Sequence, residues 1–185
     1  MKFWTNFLGY EIVWFIAVFG AGHGSALPGF LGAAVFVTWQ IIMSDQRTAD
    51  MRLVGVALVC GVLVDGGLSF SGWAHYAAMG LAVPTGGAPL WILALWAAFA
   101  MTLNHSMAWL RRRLWLACVL GLVGGPLAYW GAARGWQAMV FEPPTTRATI
   151  WLAIGWAVAL PLLAGLARRW SARGKANQIS CGGTS

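Results

Sequence analysis

The chain has 185 residues, of which 59% are hydrophobic and only 9% charged, with a mean hydropathy of +0.70. A soluble domain carries about 25% charged residues, so this chain cannot cover a water-facing surface. Disorder is excluded too, because it needs low hydrophobicity and high charge.

A membrane-spanning helix takes about 20 apolar residues. Runs of that kind fall at 3–22, 24–43, 53–72, 88–110, 114–133 and 149–167. They predict an all-α fold, a polytopic transmembrane bundle of six spans in one domain over 1–170, followed by a disordered cytoplasmic tail over 171–185. Lys2 before the first run has the look of a signal peptide, but Glu11 lies inside the run, and a cleavable segment should be free of charge there. The link His23-Gly24-Ser25-Ala26 is short enough to make the first two helices a tight hairpin. Residues 73–87 end in the turn signal Pro84-Thr85-Gly86-Gly87, and 134–148 contains Glu142-Pro143-Pro144. Both are expected as surface loops in preference to re-entrant segments.

Basic residues set the orientation. With the N-terminus inside, the inner side collects Lys2, Arg47, Arg52, Arg111, Arg112, Arg113, Arg168, Arg169, Arg173 and Lys175, against Arg134 and Arg147 outside. The prediction is therefore N-in and C-in. Trp4, Trp39, Trp109, Trp115 and Trp170 mark the inner interface and Trp73, Trp91, Trp130, Trp136 and Trp151 the outer one, leaving Trp14, Trp96 and Trp156 deep. The net charge of +7 gives no reason to expect nucleic acid, since the basic residues sit at segment ends and form no single patch. Cys60, Cys118 and Cys181 have no CxxC spacing and suggest neither a disulfide framework nor a metal site.

Ionisable groups inside a bilayer cost a few kcal/mol or more and so mark functional paths. Here they are Glu11, Asp65 and His105, with Asn104 beside His105. At 1.5 Å per residue Glu11 lies about 12 Å from its inner helix end, His105 about 9 Å and Asp65 about 18 Å. The three can form one cluster, with Asn104, Trp14 and Ser69 as neighbours. On a continuous fourth helix, Ala94, Ala98, Met101, His105 and Ala108 share a small, polar stripe that turns His105 into the bundle. Asp65 shares a face with Gly61, Ser69 and Gly72. Glu11 is oriented inward only by desolvation, because Trp14 and Phe15 make its face bulky. The competing reading is a helix clamp, worth about 0.6 kcal/mol per membrane hydrogen bond. Asn6 reads as a capping or packing group. Bis-histidine haem, diiron centres, a rhomboid-like serine protease and phosphate-binding loops all lack the residues they need, so no cofactor and no metal is expected.

The segments Lys2-Phe3-Trp4-x-Asn6-Phe7 with Glu11-x-x-Trp14, Thr102-Leu103-Asn104-His105-Ser106-Met107-Ala108-Trp109-Leu110, and Gly124-Gly125-Pro126-Leu127-Ala128-Tyr129 with Gly131-Ala132-x-Arg134 resemble the DUF2878 family over roughly residues 1–167. The resemblance implies a small multi-pass inner-membrane protein of Gram-negative bacteria. It also implies a gene neighbourhood of cyclopropane-type fatty-acid synthases and flavin-dependent oxidoreductases, hence membrane-lipid modification or an envelope stress response. It carries over no catalytic residue.

Two functions of different class follow. One is an enzyme or accessory of fatty-acyl lipid modification, with His105 and Glu11 as an acid–base pair and Asp65 tuning them, in the company of membrane lipid-modifying enzymes. The other is a proton-coupled transporter or flippase-like carrier, with the same three residues as a relay. A scaffold without a site is the third.

Overall fold

The computed structural model describes the backbone of residues 2–181 and the side chains of residues 3–172. Most of the side chains of the tail expected at 171–185, Cys181 included, lie outside the described residues. The described chain forms six α-helices: α1 (Lys2–Gly22), α2 (Leu27–Met43), α3 (Arg47–Phe70), α4 (Leu90–Ala100), α5 (Leu114–Trp136) and α6 (Thr146–Cys181). Four short strands, β1 (Ala74–Tyr76), β2 (Ala82–Val83), β3 (Ala88–Pro89) and β4 (Met139–Phe141), and a 3-10 turn over Ala108–Arg112 complete it.

The all-α bundle holds, but the span count is corrected. Four helices, α1, α3, α5 and α6, are long and apolar enough to cross a membrane. With 17 residues α2 reaches about 25 Å, and with 11 residues α4 reaches only about 16 Å, against a hydrocarbon thickness of about 30 Å. The apolar run 88–110 is continuous in sequence yet stops being helical at Ala100. Beyond it, Leu103 N–H bonds to Ala100, His105 N–H to Thr102 and Leu110 N–H to Met107, the i to i−3 pattern of turns. The stripe that was to carry His105 on the fourth helix therefore ends at Ala98.

Two features draw the chain out of the helix there. Thr102 Oγ1 donates to the Phe99 carbonyl at 2.7 Å, and Asn6 Nδ2 donates to the Met101 carbonyl at 3.3 Å. Asn6 Oδ1 also accepts from Ser106 Oγ at 2.6 Å and from Ser106 N–H at 3.2 Å. A buried side chain on α1 thus supplies partners that a helix would have supplied internally.

α5 lies along α6, α1 along α2, and α3 between α4 and α6. The α5/α6 approach needs Gly121, where a Cβ would fall 2.2 Å from the Trp156 carbonyl oxygen. Gly61 does the same for α3 and α4, leaving room for the Trp96 ring, 2.6 Å from where its Cβ would be. Val35, Leu63 and Leu127 stand outward, each more than half exposed. An apolar outer surface over apolar helices is what a lipid-embedded bundle presents.

The expected outer loops are folded. β1 pairs antiparallel with β4 in the register Ala74–Phe141, His75–Val140 and Tyr76–Met139, and β2 pairs with β3. Alternation buries Ala74 and Tyr76 and turns His75 out, where it meets Glu142 at 3.4 Å. Trp91, expected at the outer interface, is in the core at 1% exposure, donating to the Ala78 carbonyl.

Candidate functional site

Glu11, Asp65 and His105 do not meet. Asp65 and His105 belong to two separate buried networks, and Glu11, half-buried on α1, has no hydrogen bond or ion pair with either among the described residues.

The first network is at the arginine-rich end. Its centre is Asp50, an acid that the sequence places in a loop and the structure places in the first turn of α3, 1% exposed. Asn104 Nδ2 donates to its Oδ1 at 2.6 Å, Ser44 Oγ donates to its Oδ2, and His105 Nε2 stands 3.5 Å from Oδ2, within ion-pair reach. Arg111 Nη1 donates to Asn104 Oδ1 at 3.0 Å and to Ser171 Oγ at 2.9 Å, and Ser171 Oγ donates to the same Asn104 oxygen at 3.1 Å. Burial, and then the neighbouring Arg112, lower the Arg111 pKa, while Asp50 works the other way. The network joins α2, α3, the unwound segment after α4, the 3-10 turn and α6. His105 Nε2 is buried and makes no contact in hydrogen-bond geometry, so the Asp50 carboxylate stands beside the imidazole at ion-pair distance only.

The second network is about 22 Å farther along α3, at 1.5 Å per residue. Asp65 is fully buried and accepts from Tyr76 Oη at 2.6 Å and Tyr129 Oη at 2.7 Å on Oδ1, and from Trp96 Nε1 at 2.6 Å on Oδ2. The donors come from β1, α5 and α4. Burial, then the charge of Asp65, push the Tyr76 phenol well above its usual range, so it remains a donor. Three neutral donors from three elements make this a clamp that fastens the strand cap to the bundle. Ser69, half-buried, donates to the Gly86 carbonyl and holds the β2–β3 turn.

Beside the clamp is a cavity of about 260 Å³ between α1, α4, α5 and α6. Its walls are aromatic: Tyr10, Trp14, Trp96, Phe99, Tyr129 and Trp156. Trp96 and Trp156 stack with centroids 4.3 Å apart, and Trp156 Nε1 is buried with no partner in hydrogen-bond geometry. Leu120, Gly124 and Ala128 of α5 line it and are also exposed, so it opens sideways along that helix. Met107, two residues from His105, lines it as well.

The family model for DUF2878, described as a protein of unknown function, matches residues 3–162. The chain belongs to the DUF2878 family. The matched range holds both acid centres, the unwound Asn104-His105 segment and the cavity, and leaves out only Ser171 from the networks described. No curated protein and no solved structure matches this DUF2878 chain.

Sequence reasoning missed Asp50 because Arg47 and Arg52 flank it and mark a loop charge. Its signal was Asn104, since a buried amide inside an apolar run needs a partner. Trp14 forms part of the cavity wall, T-shaped against Trp136 at 5.8 Å.

Proposed function

We propose that this chain is an inner-membrane protein of acyl-lipid modification that takes one lipid chain sideways into the aromatic cavity. His105, with Asp50 beside it at 3.5 Å, is its proton-transfer group at the inner interface. The Asp50, Asn104, Arg111 and Ser171 contacts gather Arg47, Arg52, Arg111, Arg112 and Arg113 at one end of the bundle, whatever the number of full spans. The excess of arginine there assigns that end, and with it His105, to the cytoplasmic surface. The observation that carries the reading is the cavity: apolar, open along α5 to the lipid side, and lined by Met107, two residues along the chain from His105. Ligand sites of this kind are mostly apolar with a few convergent polar groups.

The earlier pairing of His105 with Glu11 is replaced by His105 with Asp50, because that is the carboxylate within 3.5 Å. The relay reading has less support. Asp65 is already saturated by three donors, and a helix length of about 22 Å separates it from Asp50.

The test is a lipidomic comparison of cells that lack the gene and carry wild type, His105→Ala or Asp50→Asn. Loss or alteration of an acyl species in both variants is expected. A lipid profile unchanged by deletion of the gene would sink the reading.

A further inference from the structure

We infer that the lipid is an anionic phospholipid, its phosphate on Arg112 and Arg113 and one acyl chain in the cavity along α5. This rests on the chain-binding reading above and adds the headgroup to it.

The arginines at this end divide into two kinds. Arg111 is partly buried and spent on Asn104 and Ser171. Those bonds hold the 3-10 turn against α6, where the exposed Arg168 and Arg169 precede Ser171. Arg112 and Arg113 are exposed, with no acidic partner among the described residues. Two such guanidiniums on a fixed turn at a membrane surface suit a phosphodiester, which each can grip with two parallel N–H groups, and their two positive charges favour a headgroup without the compensating ammonium of a zwitterionic lipid.

Geometry connects them to the cavity. Arg113 immediately precedes α5, and Leu120, Gly124 and Ala128 recur every fourth residue up one stripe of that helix. At 1.5 Å per residue Leu120 is about 10 Å and Gly124 about 16 Å from Arg113, which matches the depth of one leaflet, about 15 Å. A phosphate at Arg112 and Arg113 therefore delivers its own acyl chain to the cavity mouth. At Gly124 a Cβ would meet no atom within 4 Å, so this part of the mouth is open.

The experiment is native mass spectrometry of the full chain in detergent, with equimolar phosphatidylglycerol and phosphatidylcholine of identical chains. Each arginine near an anionic headgroup is worth about fivefold, so a preference of about 30-fold for phosphatidylglycerol is expected. Arg112→Gln with Arg113→Gln should bring the two lipids near parity, and Gly124→Leu should release either. Equal retention of both lipids by wild type, with release by Gly124→Leu, overturns the headgroup inference and leaves the cavity reading standing. Undiminished lipid in Gly124→Leu overturns the cavity reading itself. Both sets of changes are at exposed, unpaired positions, and the folded state of each variant is verified by its unfolding midpoint.

Discussion

Asn104 and Asp50, 54 residues apart in sequence, are joined by a 2.6 Å hydrogen bond from Nδ2 to Oδ1. This contact fixes the unwound segment after α4 to the first turn of α3, and with it His105.

Removing either partner should be costly. Asn104→Ala leaves a buried carboxylate short of a donor and takes the acceptor from Arg111 and Ser171. A loss of about 3–5 kcal/mol is expected. Asp50→Asn keeps the shape and should lose about 1–3 kcal/mol. Denaturant unfolding in micelles measures both, and near-additive single and double substitutions would show that the two residues do not couple.

Asp65 separates clamp from relay. Asp65→Ala strands three buried donors and should cost about 3–5 kcal/mol, whereas Asn can turn its carbonyl to Trp96 while the tyrosine hydroxyls accept from its amide. Stability and function should therefore largely return with Asn. If Asn is as damaging to function as Ala while stability recovers, the charge itself is needed and the clamp account is wrong.

His105 should matter for function and little for folding. Its side chain is 18% exposed and its one ionic contact is at 3.5 Å. His105→Ala should change the unfolding free energy by about 1 kcal/mol or less and still remove the lipid phenotype. A fold collapsing with this substitution would recast His105 as structural.

Tyr76 offers a pH test. Its phenol is raised by burial and by Asp65, so the folded state favours the protonated form. That stability is fully present below the unfolded value of about 10 and is lost as pH rises through the folded value. Near-ultraviolet phenolate absorbance should show late-ionising tyrosine, in an amplitude that Tyr76→Phe reduces. Ionisation of all tyrosines near the free value would contradict the buried clamp.

The helices and their polar ends were legible because apolar runs and arginine placement are composition-level signals. Asp65 was recognisable as buried, since a lone acid in an apolar run has few alternatives. The break at Met101 was not, because Thr102-Leu103-Asn104-His105 contains neither Gly nor Pro. Beside the local Thr102 hydroxyl, its cause is Asn6, whose partners lie 95 and 100 positions away. Tyr76 was hidden for the same reason: only pairing of β1 with β4 shows that a loop residue points into the bundle. Long-range partners, which no periodicity reveals, account for both misses.

A lipid chain entering the aromatic cavity sideways along α5 is what the proposed function most depends on. A phospholipid carrying a photoreactive group in its acyl chain, reacted in vesicles and mapped by mass spectrometry, tests it most directly. Labels should concentrate on Leu120, Gly124, Ala128 and Trp156 and disappear with Gly124→Leu. Labels spread evenly over the outward faces of α2, α3 and α5, and unchanged by Gly124→Leu, would contradict it.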